Sequence, residues 1–255
     1  MKKLYSTLCL IFFPLSLVFP QGFDWEYSPR LPFSIPRVYF GIGGNTAKNY
    51  YNGSFSLFEN FYTCSKFTSG TGNSFALGLK SEYWFKPNFA FAFTLLYQNS
   101  SANFVASGDS FPILLKNIPK MVKVENELSL RYKYLLLDLG AKYHIASTFF
   151  FIAAGLEFGV RFSSSFDIHE QVKSPPEFHF ADNTQRRKVI NGKLSDLALF
   201  SVVPKISLGY DAKIFPGLYA SPNFSLQLPV FNLSLEENLK LFSLQLSISF
   251  LYGIW

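Results

Sequence analysis

Cysteine is nearly missing from this sequence: Cys9 and Cys64 are the only two among 255 residues. Cys9 falls in the N-terminal leader, where Leu8 stands before it instead of the small residue a lipoprotein signal requires. With one thiol left, no intramolecular disulfide is available, so an exported chain must draw stability from its fold or its solvent. Charge is also sparse, at 16% of residues. Discounting Lys2 and Lys3 of the leader leaves 21 bases against 17 acids. An excess that small and scattered excludes a nucleic-acid binder. Past the leader there is no stretch of 18 apolar residues free of charge, which excludes a helical membrane protein. Three scattered histidines, His144, His169 and His179, and one remaining cysteine make no metal-ligand pattern. Gly41, Ile42, Gly43 and Gly44 precede no helix signal, so they are no phosphate-cradling loop. No cofactor is expected.

What is present begins with residues 1–21: two lysines, then a mostly apolar run ending at Pro20. This is the layout of a secretory signal peptide. A membrane anchor is the competing reading, but the run falls short of the roughly 20 residues a span needs. Residues 22–36 carry Pro29, Pro32 and Pro36 and read as an extended periplasmic lead-in. The rest, 37–255, reads as one domain rich in aromatics, with 31 Phe and 14 Tyr in the whole chain.

The domain is organised around residues 127–163, one long β-hairpin turning at Ala146, Ser147 and Thr148. In its returning half Phe150, Ile152, Ala154, Leu156, Phe158, Val160 and Phe162 fall on one face. Ala153, Gly155, Glu157, Gly159, Arg161 and Ser163 fall on the other. Period two makes a strand. The uniform face is the apolar one, as in a barrel strand turned toward lipid.

The same pattern recurs along the chain. Residues 37–46 put Val38, Phe40 and Ile42 outward, with glycines toward a crowded lumen. Residues 74–86 and 89–98 follow, joined by a tight turn at Lys86, Pro87 and Asn88. The fourth strand starts with Leu128, Leu130 and Tyr132 outward and then changes phase to Leu135, Leu137 and Leu139, which predicts a β-bulge near Tyr134 and Leu135. Residues 198–210, 218–228 and 242–252 complete eight strands. Pro204 and Pro222 are awkward inside paired strands, so one or both are expected to mark further bulges. Long loops are expected at 49–72, with a small hairpin at Asn52 and Gly53, at 107–126 and at 164–195, with a shorter one at 234–238. Tyr83, Tyr143, Tyr210 and Tyr252 sit outward near the short turns, as a lower aromatic girdle. The fold expected is an all-β, antiparallel up-and-down transmembrane barrel with long extracellular loops, short periplasmic turns and both termini periplasmic.

Tyr134, Leu135, Leu136, Leu137, Asp138, Leu139, Gly140, Ala141, Lys142, Tyr143 and His144, followed by Ala153, Ala154 and Gly155, resemble the PorT-like family of outer-membrane β-barrel proteins. The resemblance implies a small single-domain barrel in the outer membrane of a Gram-negative-type envelope. Some members of that family are tied to protein secretion, and it offers no catalytic motif to carry over.

Lumen-facing positions supply four bases, Lys80, Lys142, Arg161 and Lys205, and four acids, Glu82, Asp138, Glu157 and Asp211. Eight strands enclose a space that side chains fill, so these charges are expected to form a salt-bridged plug. Two registers of the central hairpin compete. A turn at Ser147 and Thr148 sets Asp138 against Glu157; a turn at Phe149 and Phe150 sets Lys142 against Glu157 and Asp138 against Arg161. Directly opposed like charges are destabilising, which favours the second. Arg186, Arg187 and Lys188 read as a solvated loop offset by nearby acids, with binding of lipid phosphates the alternative.

The function expected is non-enzymatic: a structural or interaction role through exposed loops or the periplasmic edge, linked to secretion or envelope assembly. The partners are outer-membrane lipid and an envelope or secretion-system protein, with no nucleic acid, and the barrel is expected to be a monomer. Two alternatives stand beside it. One is a rim-sited lipid-modifying enzyme using His169 and His179 near Ser163, Ser164, Ser165, Asp167 and Glu170; the other is a narrow solute channel.

Overall fold

The computed structural model describes residues 37–55, 66–86, 88–115, 117–145, 148–193, 197–228, 232 and 238–254. The leader, the lead-in and Cys64 lie outside the described residues. Among the described residues ten strands form: β1 (Val38–Phe55), β2 (Phe67–Lys86), β3 (Phe89–Leu115), β4 (Ile118–His144), β5 (Phe150–Ser174), β6 (Arg186–Gly192), β7 (Phe200–Tyr210), β8 (Ala212–Phe215), β9 (Leu218–Gln227) and β10 (Asn238–Ile254). Pairing runs β10-β1-β2-β3-β4-β5-β7-β9, and β9 pairs back onto β10. Eight antiparallel strands thus close a ring, the expected barrel. Closure leaves the barrel wall without an unpaired edge.

The two extra strands have different origins. Among the described residues β6 pairs with β5 alone, beyond the ring. β8 continues β7: Gly209 pairs Asn223 and Ala212 pairs Ala220, the same register on both sides of Asp211. The two residues left out, Tyr210 and Asp211, are level with Pro222 and Ser221; Pro222 has no N–H to give to the ladder, while the Asp211 N–H continues the ladder to β5 and bonds to the Phe149 carbonyl at 2.9 Å. Pro222 therefore marks a break in pairing, not the inserted residue expected of a bulge, and Pro204 pairs Leu156 in an unshifted register, so it marks no bulge either. At the Pro216–Gly217 turn, Gly217 takes φ +82°, a conformation glycine adopts without steric cost.

An outward belt carries the apolar series. Val38, Phe40, Ile42, Leu77, Leu79, Phe91, Phe93, Leu139, Leu156, Phe158, Ile206, Leu208, Ile248 and Phe250 are all exposed. Tyr83, Tyr143 and Tyr252 are exposed near the short-turn end, as expected of the girdle. Above the belt the pattern inverts. On the outside of β4, Leu135 gives way to Lys133, Arg131, Ser129 and Glu127, while Leu128, Leu130, Tyr132, Tyr134 and Leu136 are buried inside. The β3–β4 register runs unbroken from Phe89↔Tyr143 to Ser107↔Glu125. The expected bulge at Tyr134 and Leu135 is therefore absent from β4. Apolar side chains face outward where the surroundings are lipid and inward where they are water, so the phase change in the sequence marks the membrane boundary. The extra residue in this hairpin is on β5 instead: Tyr134 pairs Arg161 and Lys133 pairs Ser163, which leaves Phe162 over.

Three expected loops are strand in part or whole. β3 and β4 continue as a hairpin through 107–126, with Leu115 paired to Ile118 at its end and Asn117 at φ 63°. β5 runs on to Ser174 and returns as β6 through much of 164–195. Asn52 pairs Ser69 and Gly53 pairs Leu239, so the small hairpin expected at Asn52 and Gly53 does not form. Residues 56–65 and 233–237 lie outside the described residues. Together, the outer parts of β3, β4, β5 and β6 make a sheet that stands above the ring as a tower.

The strand glycines serve the wall more than the lumen. A Cβ on Gly41 would collide with the Phe250 carbonyl oxygen, and one on Gly78 with that of Leu95. Strands curled into so small a ring bring backbone against backbone, where only glycine fits. Gly41→Ala and Gly78→Ala are each expected to lower the urea midpoint of the refolded barrel. An unchanged midpoint in both would contradict that close approach.

Candidate functional site

Inward positions of β2, β4, β5 and β7, with Asp211 just past the end of β7, bring seven of the eight expected charges into the lumen, in two groups. Near the short-turn end Lys142 of β4 lies between Glu82 of β2, at 3.0 Å, and Asp211, at 2.6 Å. Lys80 supports Glu82 at 2.9 Å, and Nε2 of His144 lies 2.8 Å from Asp211. The break in pairing beside Pro222 includes Asp211, the residue whose carboxylate reaches this group. Trp84 stacks on His144 with centroids 4.7 Å apart, and the Lys142 ammonium sits 4.2 Å from the Phe151 ring centroid. The Lys142 side chain is 2% exposed. Full burial makes each charge here depend on its partners.

Farther in, Lys205 of β7 bonds Asp138 and lies 3.9 Å from Glu157, while Gln227 donates to Glu157 at 2.7 Å. This overturns the favoured register. Asp138 pairs directly with Glu157, and Lys142 faces Ala153, as the turn at Ser147 and Thr148 requires. The two acids stand side by side because Lys205, from the next strand, supplies the positive charge to both. The like-charge penalty was right for an isolated pair and does not apply to a triad. Lys142 and Glu157 thus belong to different groups. Arg161, the eighth charge, stands level with Tyr134 and donates to Ser164 at 2.7 Å.

Between the two groups lies a cavity of about 70 Å³, lined by Lys80, Asp138, Lys142, Lys205, Ser207 and Asn223 among others. It has room for a few waters. Asn45 borders it, and Asn49 bonds with Ser243 at 2.8 Å farther along the wall. Beyond these the lumen turns apolar. Tyr51, Phe67, Phe104, Leu128, Leu130, Tyr132, Phe166, Ile168 and Leu239 pack as one buried cluster, a cap over the outer mouth. The Tyr51 and Tyr132 hydroxyls meet at 2.5 Å, and Tyr134 donates to the Ala198 carbonyl at 3.1 Å. The sequence reading missed this cap, because it assigned Leu128, Leu130 and Tyr132 to the lipid face.

On the tower every member of the basic run is matched. Arg186 pairs Glu127 at 2.9 Å, Arg187 pairs Glu170 at 2.7 Å, and Lys188 pairs Asp167 at 2.8 Å. The hydrogen bond from Lys188, with the charge of Arg131 behind it, holds the Asp167 carboxyl below the usual carboxylate range. The run is the acid-offset surface expected of it. Nδ1 of His179 lies 3.1 Å from the Glu177 carbonyl oxygen, and His169 is set across the sheet from Glu127 and Lys188. Among the described residues neither histidine hydrogen-bonds a serine hydroxyl. The two histidines and Ser163, Ser164 and Ser165 are not assembled into a catalytic group.

None of the curated proteins matches the chain. Solved structures give distant likenesses. Ail, the attachment invasion locus protein of Yersinia pestis, matches at 10% identity over 85% of this chain and 99% of its own, with a TM-score of 0.31. Neisserial surface protein A matches at 9% over 84% and 97%, with a TM-score of 0.33. The outer membrane protease OmpT from Escherichia coli matches at 8% over 89% and 99%, with a TM-score of 0.35. Likeness at that level says nothing of ligand or activity. A family model matches residues 21–253, nearly the whole length, and agrees with the closed ring, the outward apolar belt and its tyrosine girdle. The chain is a Gram-negative outer-membrane protein and belongs to the family described as outer membrane protein beta-barrel domain.

Proposed function

We propose that the protein is a non-enzymatic, non-conducting barrel whose work is done by the tower it holds outside the membrane. The observation that carries this reading is the filled lumen: two ion-paired groups are followed by a dry aromatic cap, in a ring already narrow at eight strands. A solute would have to separate buried charges and then cross apolar packing. The closed wall supports a monomer, since no strand edge of the ring is left to pair with a second copy. The resemblance to PorT-like proteins supports a partner in the envelope or a secretion system. The scattered placement of His169 and His179 speaks against the lipid-modifying alternative.

Planar-bilayer recording from the refolded mature protein is expected to give no conductance steps above background. A photo-crosslinking residue placed at Val105 or Val189, both exposed on the tower, is expected to yield a discrete adduct in intact cells. Steady conductance would replace this reading with the channel. Loss of lipid A modification on changing His169 and His179 would replace it with the enzyme.

A further inference from the structure

The far end of the tower is apolar where it should be polar. The β3–β4 hairpin tip exposes Leu114 at 75%, Ile118 at 58% and Met121 at 52%, with Phe111 also exposed. These residues do not belong to the lipid belt. From Leu135, where the belt ends on β4, to Ile118 is roughly 55 Å of strand at about 3.3 Å per residue. The outward face in between carries Lys133, Arg131, Glu127, Glu125 and Lys123. A stalk of charge therefore separates the tip from the membrane that holds the barrel. Exposed apolar clusters of this kind in water mark an interaction site.

Two features decide what it meets. The first is charge: residues 110–124 contain Lys116, Lys120 and Lys123 and no acid. Lys120 is offset by Glu177 at 3.2 Å; Lys123 meets no carboxylate among the described residues. The second is that apolar side chains occupy both faces of the hairpin. Leu114 and Met121 point to the outer side, in line with the charged face of β4, and Ile118 to the other, beyond the point where Phe111 and Val122 pack with Phe178 and Phe180. A groove on a protein reads one face of a hairpin, whereas the interior of a bilayer is apolar all round. Pro112 and Pro119, set opposite Met121 and Leu114, lack the N–H that adding a further strand to this sheet would use.

We infer that the hairpin tip inserts into an anionic lipid bilayer other than the one the barrel spans, with Leu114, Ile118 and Met121 entering the acyl region and Lys120 and Lys123 meeting headgroups. Apolar burial and attraction to anionic lipid are the two terms that drive such shallow insertion. The inference rests on the reading that the tower is the interacting part of the molecule.

The test uses the mature protein in zwitterionic nanodiscs, floated with vesicles of phosphatidylglycerol and phosphatidylcholine or of phosphatidylcholine alone. Co-flotation with the anionic vesicles is expected. It should fall at least tenfold for the double variant Leu114→Asp with Met121→Asp, and for wild type on phosphatidylcholine. Ile118→Trp emission should shift to the blue when anionic vesicles are added. Heat-modifiable gel mobility shows whether each variant still forms the barrel. Wild type that floats with no vesicles, or a folded double variant that floats undiminished, overturns the inference. Suppose wild type binds no vesicle, yet a tower crosslink to a protein in cells disappears in the double variant. Lipid insertion then falls while the interaction reading stands. If the crosslink is absent from wild type as well, both fall.

Discussion

Lys142→Met is expected to cost about 3–5 kcal/mol of folding stability, the range for removing one partner from a buried ion pair. Lys142 is the shared cation of Glu82 and Asp211, at 3.0 and 2.6 Å, and its side chain is 2% exposed. Methionine keeps the volume and the contact with Phe151 and Trp84 but removes the charge. Glu82 then keeps Lys80, and Asp211 keeps only His144. Two buried carboxylates then share one histidine and one lysine between them, and must find a proton or force the wall apart.

A double-mutant cycle separates this from simple loss of packing. Glu82→Gln in the Lys142→Met background should recover part of the loss, because it removes the charge left unpaired. The pair Lys142 and Glu157 should show coupling within about 0.5 kcal/mol, the usual limit for independent sites. Glu157 lies opposite Asp138, four residues and about 13 Å of strand away from Lys142. Urea unfolding in lipid vesicles, followed by the gel shift, measures all four corners. Strong coupling of Lys142 to Glu157 with none to Glu82 would mean that the hairpin register of the structure is wrong.

The fold was legible because lipid imposes a simple rule on the outward face and side chains in the eight ring strands repeat it. The strand count, the short turns and the girdle tyrosines all follow from that alternation. The rule carries no information above the membrane, and there the reading failed. On β4 the apolar face reverses at Lys133 with no change of register, which in sequence resembles an inserted residue. On β5 the inserted residue, Phe162, coincides with the same reversal. The two changes cancel, so Phe162, Phe166 and Ile168 keep one parity and the bulge is invisible.

The lumen charges were legible as a set but not as pairs. Which acid meets which base depends on strands distant in sequence, as Lys205 shows by sitting between Asp138 and Glu157. No two-strand argument finds a partner supplied by a third. The tip of the tower was hidden for a different reason. Its sequence, Phe-Pro-Ile-Leu-Leu-Lys-Asn-Ile-Pro-Lys-Met, has two prolines and no clean alternation, so it reads as loop until the pairing of Leu115 with Ile118 places it at the end of a hairpin.

The membrane placement itself gives the second large effect. Leu156→Arg, midway along the outward face of β5, is expected to cost roughly 2–4 kcal/mol, the price of an arginine at the bilayer midplane. Leu156 is exposed to that medium, between Leu139 on one neighbouring strand and Pro204 on the other. The same change at Ile152, beside Tyr143 of the girdle, or at Val160, beside Leu135 where the belt ends, should cost about 0–1 kcal/mol, because near the interfaces the guanidinium reaches headgroups and water. At Ser129, on the outward face of the tower, arginine should fall within about 0.5 kcal/mol of neutral, as at an ordinary wet surface. The expected result is therefore a profile with one maximum, read by urea unfolding in lipid. A flat profile would mean that β5 does not cross the bilayer where the belt places it. A maximum displaced toward Val160 would place the boundary higher on β4 and β5, and Arg131, Lys133 and the foot of the tower would then lie inside the membrane. The observed position of that maximum thus fixes how much of the molecule stands outside the cell and how far the hairpin tip reaches from the surface.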